Sequence, residues 1–170
     1  MLMRRFYKDP GNRNGTKKAF NMGFHPTFLY IFPNAWVYSL PFNFIVDSIV
    51  LLIGFKIFGK EKVWHNWKKS ILLSWIFGYV SDLIAAFLMV AFEFAAGHIM
   101  HGSVMANPFG NPFAFICTLF SVLVAGVLIY IFNAKIALRK TELDDKAKKK
   151  VALLMAIVTM PYLFFMPVQF

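Results

Sequence analysis

The sequence predicts an all-α protein: a polytopic transmembrane helical bundle with four spans plus an N-terminal re-entrant or interfacial segment. Hydrophobic residues occupy 59% of the 170 positions, whereas soluble domains average about 45–50%. The mean hydropathy is +0.60. Lys and Arg are clustered between long apolar stretches and are rare inside them. Apolar stretches flanked by basic clusters are typical of membrane-spanning helices.

The chain divides into three parts. Residues 1–18 form a basic polar arm that is rich in Gly and Asn. Residues 19–40 are apolar and aromatic, but their prolines would interrupt a helical ladder, so this segment is predicted to lie at the membrane interface or to re-enter it. Residues 41–170 form a four-span transmembrane domain. Its spans are predicted at residues 41–58, 70–96, 112–136 and 151–170.

The last helix is predicted to begin before its apolar part. Thr141 and Asp144 have the spacing of a capping box, which satisfies the first N–H groups of a helix. Pro161 and Pro167 are expected to bend the same helix because proline lacks the N–H that the ladder needs.

The charge distribution predicts the orientation. Loops 59–69 and 137–150 are rich in Lys and Arg, whereas loop 97–111 contains no charged Lys, Arg, Asp or Glu side chain. Positive-inside counting places the two basic loops in the cytoplasm and loop 97–111 outside a cell membrane. With four spans alone, the basic arm would lie on the outer side, which conflicts with this rule. The conflict disappears if residues 19–40 cross the membrane or dip into it and return.

Two aspartates are the sharpest candidates for function. Asp47 lies 11 residues before the end of the first span and Asp82 lies 12 residues after the start of the second. Both are therefore about 16–18 Å from the basic side, and a hairpin of these spans would bring them together. Asn43 shares a helical face with Asp47. Charged side chains at such depth are costly and commonly functional.

A row of small and polar residues on the second span supports this interpretation. Such rows let helices approach closely in lipid. Glu93 follows Asp82 by 11 residues and falls on nearly the same face. The row recurs at every fourth position and consists of Ser70, Ser74, Gly78, Asp82 and Ala86.

No basic residue lies at the depth of these carboxyl groups. They are therefore expected to be protonated, hydrated, bound to a cation or paired with a partner protein. They handle protons or cations, or they are protonated hydrogen-bonding groups that hold helices together, or they pair with a partner protein. Glu93 lies near the outer boundary, where an ordinary solvated carboxylate is the alternative.

A weaker pattern concerns a metal. His98 and His101 are three residues apart and, together with Glu93, would suit a divalent ion. Solvated loop histidines are the alternative. No other cofactor is predicted. The single cysteine, Cys117, excludes an intrachain disulfide.

Three functions are consistent with these patterns. The first is a small transport-type component that handles protons or cations and works as a homo-oligomer or within a larger membrane complex. The second is an accessory, assembly or immunity-type subunit that docks a partner helix. The third is a metal-dependent membrane enzyme. No Ser, Thr or Cys residue has a His or Lys at a spacing that indicates nucleophilic catalysis. The basic residues beside the spans favour anionic lipid headgroups over nucleic acid as their partner.

Overall fold

The computed structural model describes residues 26–59, 62–99 and 103–167, and all regular structure within these ranges is helical. The arm at residues 1–18 and residues 19–25 lie outside the described ranges. A π-helical turn, Phe55–Gly59, follows the second helix, and the 3₁₀ turns Ala137–Lys140 and Tyr162–Phe165 follow the fourth and fifth. The α-helices are α1 (Phe28–Ile31), α2 (Pro33–Gly54), α3 (Val63–Ile99), α4 (Pro112–Lys135) and α5 (Asp145–Thr159).

Among the described residues, three helical stretches are long and apolar enough to cross a membrane. They are Pro33–Gly59, Val63–Ala96 and Pro112–Lys140, of 27, 34 and 29 residues. About 20 residues suffice for the hydrocarbon core. The fold is therefore compatible with a membrane-embedded protein.

The first long helix begins earlier than the sequence suggested. α2 starts at Pro33 and continues through Pro41, so the last residues of the predicted re-entrant segment are its first two turns. Proline is tolerated at a helix start because its missing N–H would have no partner there. Beside Pro41, the indole of Trp75 donates to the Leu40 carbonyl at 3.0 Å. α1 precedes this helix, and the Trp36 indole donates back to the Tyr30 carbonyl at 2.8 Å.

The second long helix also extends beyond its predicted limits. α3 begins at Val63, so most of the predicted loop 59–69 is helical. Lysine is a good helix former, and Lys68 and Lys69 remain exposed on the surface of this extension. Asn66 on the opposite side is 2% exposed, which makes the extension amphipathic.

The predicted fourth span is not one continuous helix. α5 has 15 residues and is therefore about 22 Å long, shorter than the ~30 Å hydrocarbon core. It ends because Pro161 has no N–H for the Ile157 carbonyl, which instead accepts the Tyr162 hydroxyl at 2.5 Å. A fourth span thus stays a prediction.

The capping box does not form at the start of α5. Asp144 is the N-cap residue, but its side chain makes no capping hydrogen bond. The Thr141 hydroxyl donates to the Leu138 carbonyl at 2.7 Å and so completes the preceding 3₁₀ turn. Thr141 therefore belongs to the preceding turn and is not the N-cap residue of α5, although its spacing to Asp144 matches a capping box.

The two basic segments meet at one end of the bundle. Glu142 accepts hydrogen bonds from Lys62 Nζ at 2.9 Å and Lys69 Nζ at 3.3 Å, and His65 Nε2 lies 3.1 Å from its carboxylate. Its backbone N–H also donates to Asn66 Oδ1 at 2.9 Å. Loops 59–69 and 137–150 therefore lie on the same side of the bundle.

Candidate functional site

Asp47 on α2 and Asp82 on α3 line one cavity of about 150 Å³. The two residues are only 4% and 3% exposed. The two carboxyl groups lie near enough to repel each other when both are charged. The two aspartates, which the sequence predicted to lie close together, therefore line the same cavity. The cavity, here called the carboxyl cavity, is lined by Tyr30, Phe42, Asn43, Val46, Asp47, Gly78, Asp82, Val158, Thr159, Met160, Pro161, Tyr162 and Leu163.

Asp82 is held by donors from two other elements. Asn43 Nδ2 donates to its Oδ2 at 3.3 Å. The phenol of Tyr30 on α1 interacts with both Asn43 and Asp82. The second carboxyl oxygen, Oδ1, is buried and has no hydrogen-bond partner within the described ranges. Since buried polar atoms are nearly always paired, this oxygen is available to a water molecule or a ligand in the cavity.

Asp47 is placed differently. Its carboxyl group accepts no hydrogen bond from the described part of the chain, although the Asp82 carboxyl group lies nearby. It packs against Gly78 so closely that a Cβ there would lie 3.2 Å from Asp47 Oδ2. Glycine at position 78 therefore permits the approach of the two helices at the level of the acids. The two carboxyl groups share a cavity but have unequal surroundings.

The opposite wall is the break after α5. The N–H of Tyr162, which would bond the Val158 carbonyl in a continuing helix, instead donates to the Met160 carbonyl at 2.8 Å. The Val158 carbonyl thereby loses its helical partner. The end of α5, which carries the negative pole of the helix dipole, thus borders the carboxyl cavity. Among the described residues, its lining contains acceptors and no lysine or arginine.

The predicted packing face is buried as a whole. Ser70, Ser74 and Ala86 are 0% exposed, and Gly78 is also buried. Ser74 Oγ donates to Asn133 Oδ1 of α4 at 2.6 Å. The row therefore packs α3 against α4 at Ser74 and against α2 at Gly78.

Glu93 is not part of the carboxyl cavity. Its Oε2 accepts the backbone N–H groups of Val104 and Met105 at 2.7 and 2.9 Å. It thus fastens the loop after α3 to the helix. Position 101 lies outside the described ranges and the side chain of His98 is not described, so the predicted metal site stays a prediction. Among the residues that are described, no group of three His, Cys, Asp or Glu side chains suits a metal.

Sequence reasoning missed two parts of the cavity. Tyr30 lay in a stretch interpreted as interfacial, and nothing in its spacing linked it to Asp82. Pro161 predicted a bend after α5. The proximity of this break to the acids could not be predicted, because it depends on the packing of α5 against α2.

An apolar groove lies on the other side of the break. It has a volume of about 290 Å³ and runs between α4 and α5. Met160 lines both this groove and the carboxyl cavity. Its Cε would lie 3.2 Å from a Cβ placed on Gly126 of α4.

The likeness of this chain to other proteins gives no further information. Comparison with protein-family models, curated proteins and solved structures found no match.

Proposed function

We propose that this chain is a transport-type component of the cell membrane in which Asp47, Asp82 and Asn43 handle a proton or a cation. The observation that carries the proposal is the unpaired Oδ1 of Asp82, which is buried in a cavity shared with Asp47. Intramembrane acids that face a polar cavity are typical of proton and ion pathways. Asn43 and Tyr30 orient the carboxyl group, and Gly78 brings the two helices together.

Broken helices support the same proposal. In many transporters, ions bind where a helix is interrupted, because freed carbonyl groups and the helix end supply partial negative charge. The end of α5 borders the carboxyl cavity in this manner. A positive species would find acceptors on both walls.

The proposal also includes the orientation of the chain in the membrane and its association with other chains. Loops 59–69 and 137–150 would face the cytoplasm and anionic lipid headgroups, and loop 97–111 would face outside. The three long helices and one broken helix of the described residues enclose little space, so we expect a homo-oligomer or a larger membrane complex.

An accessory subunit that docks a partner helix is the competing proposal. It requires the polar face to be accessible to that helix. Asp47, Asp82, Ser70 and Ser74 are instead buried by this chain itself. Burial therefore favours ion handling over docking.

The experiment is a flux measurement on the purified chain in sealed vesicles with an enclosed pH-sensitive dye. Wild-type protein should dissipate an imposed pH or sodium gradient. Asp82→Asn, which keeps the shape and removes the charge, should lower the rate by about tenfold or more, since an essential charge is lost. Asp145→Asn is the matched control because its side chain is 93% exposed at the start of α5.

The control variant should retain the wild-type rate. Equal rates in wild type and Asp82→Asn would contradict the proposal. The proposal would also be contradicted if vesicles with wild-type protein dissipated the gradient no faster than protein-free vesicles. Melting curves of both variants confirm that any loss of flux is not a loss of fold.

A further inference from the structure

We infer that the apolar groove between α4 and α5 holds an acyl chain of an anionic phospholipid, with Lys146 and Lys149 binding its phosphate headgroup. This inference concerns the outer side of the two helices and does not depend on proton or cation handling at the carboxyl cavity. It follows from the lining of the groove, from the face of α5 that carries the two lysines, and from the absence of an ion pair at either lysine within the described ranges.

The groove is elongated and apolar. It has a volume of about 290 Å³ and follows α4 from Leu123 to Tyr130 and α5 from Leu153 to Met160. In each case the two residues are seven positions apart, so the groove follows about 10 Å of helix. Among its described lining residues, Tyr130 alone carries a hydroxyl group. A hydrocarbon chain suits this lining, whereas a polar ligand would lose its hydrogen bonds to water.

A chain in the groove would contact two helices at once. Gly126 is buried and lines the groove, and a Cβ at this position would lie 3.2 Å from Met160 Cε. Because dispersion attraction grows with the number of atoms in contact, the groove holds a chain better than the outer face of one helix does. Four lining residues are 50–57% exposed, namely Leu123, Val127, Leu153 and Ile157.

The face of α5 that lines the groove continues into two lysines. Lys149 precedes Leu153 by four residues and Ala156 by seven, so it lies within about 40° of both around the helix. Lys146 precedes Leu153 by seven residues and lies about 20° from it. Along the helix axis, Lys149 is about 6 Å from Leu153. The two lysines therefore lie just beyond the end of the groove, in line with it.

These two lysines are free to bind an anion. Lys146 and Lys149 are exposed, and neither forms an ion pair with the described part of the chain. The other lysines of this run have partners. Lys148 lies 4.0 Å from the carboxylate of the aspartate three residues before it, and Lys150 lies over the Phe58 ring, 5.6 Å from its centroid. The unpaired positive charge of this run is thus on the face that leads into the groove.

The order of groups along the groove matches a phospholipid. α4 ends at Lys135 and α5 begins at Asp145, so the basic ends of the two helices lie on the same side. Of the α4 residues that line the groove, Tyr130 is nearest to this side. Tyrosine is enriched where acyl chains meet headgroups, and lysine attracts anionic headgroups. The acyl chain would lie beside Gly126, the ester region beside Tyr130 and the phosphate beside the lysines.

A second copy of the chain is the alternative occupant. Two copies inserted in the same orientation and packed through this groove would present the same face to each other at the same depth. Lys146 and Lys149 of one copy would then meet the same two lysines of the other, and like charges at close range repel. A negatively charged headgroup is instead attracted by them. Charge complementarity therefore favours a lipid.

The first test is native mass spectrometry of the purified chain in detergent with added phosphatidylglycerol. One such lipid should stay bound at concentrations where phosphatidylcholine with the same acyl chains does not. Lys146→Gln combined with Lys149→Gln should weaken binding about tenfold or more, since each basic residue near the surface adds to the attraction. Lys148→Gln combined with Lys150→Gln is the matched control. It removes the same charge from other faces of α5 and should change binding by less than about twofold.

The second test locates the lipid on the wild-type chain and so does not depend on variant folding. Phosphatidylglycerol with a photoactivatable diazirine in its acyl chain is mixed at a low fraction into phosphatidylcholine vesicles that contain the protein. Peptide mapping after illumination should find residues 123–130 and 153–160 labelled more strongly than the exposed α2 residues Ile45, Ile49 and Ile53. Inorganic phosphate should not reduce this labelling, because the acyl chain contributes much of the binding free energy.

Five results would overturn the inference. Equal retention of phosphatidylglycerol and phosphatidylcholine would show that the headgroup is not recognised, and equal losses in the two double variants would show that the face of α5 is irrelevant. Labelling spread evenly over α2, α4 and α5 would indicate ordinary contact with bulk lipid. Competition by inorganic phosphate would indicate an anion site without an acyl chain. Rapid disulfide formation between copies of Val127→Cys would assign the groove to a second copy.

Discussion

Removal of the Ser74 hydroxyl tests how the packing face holds α3 against α4. Ser74 Oγ donates to Asn133 Oδ1 at 2.6 Å, and both residues are 0% exposed. Asn133 Nδ2 is already bonded to the Ile129 carbonyl of its own helix. Ser74→Ala therefore leaves the amide oxygen of Asn133 buried without its donor.

The expected magnitude follows from general values. Interhelical hydrogen bonds in a membrane protein contribute ~0.6 kcal/mol on average and ~1.7 kcal/mol at most. An acceptor left unpaired in a protein interior costs about 1–3 kcal/mol. Because this bond is short and fully buried, Ser74→Ala should lower the free energy of unfolding by about 1–1.5 kcal/mol, roughly tenfold in the unfolding constant.

Ser81→Ala is the matched control. Ser81 is also 0% exposed on α3, but its hydroxyl donates to the Phe77 carbonyl of the same helix at 2.7 Å. Since no interhelical bond is lost, its effect should stay below about 0.5 kcal/mol. Unfolding by sodium dodecyl sulfate in mixed micelles, followed by tryptophan fluorescence and circular dichroism, measures both changes.

A double-mutant cycle makes the comparison decisive. Combining Ser74→Ala with Asn133→Leu should give a coupling energy of about 1 kcal/mol, because the two side chains share one bond. The reasoning is refuted if the coupling is zero within error, or if Ser74→Ala and Ser81→Ala destabilise the protein equally.

Two further predictions concern the ends of the bundle. Hydrogen bonds from Lys62 and Lys69 lower the pKa of Glu142 from 4.5 to about 2. The stabilising effect of the Glu142 carboxylate should therefore be complete above pH 4.5 and fade as the pH falls toward 2. The melting temperatures of wild type and Glu142→Gln should converge over that range. Convergence at higher pH instead would contradict the assignment. At the other end, Glu93→Ala removes the acceptor of two backbone N–H groups, so amide exchange in residues 104–105 should accelerate while residues of α4 keep their wild-type rates; unchanged exchange would show that the loop is held by other contacts.

Most of the helical framework could be predicted from the sequence because its signals are local. Apolar length identified the three long helices, and the spacing of Ser70, Ser74 and Gly78 identified the buried face of α3. Equal distances from the basic side predicted that Asp47 and Asp82 would lie at one level. Each of these inferences depends only on helix geometry and on the cost of charge in lipid.

The remaining features depend on tertiary packing and could not be predicted in this way. Pro41 suggested a helix start, but the preceding turns pack on α3 and the helix continues through it. Tyr30 reaches Asp82 because α1 folds back onto the bundle. Pro161 indicated a bend, yet its consequence, a helix end that borders the acids, appears only when α5 lies against α2.

The position of Met160 affects how the carboxyl cavity is separated from the apolar groove. On one side it touches the carboxyl cavity, and on the other the apolar groove beside Gly126. Met160 therefore lies between the two spaces, and its unbranched thioether side chain adapts readily to its surroundings. A substitution at position 160 is therefore expected to alter the polar cavity and the apolar groove together.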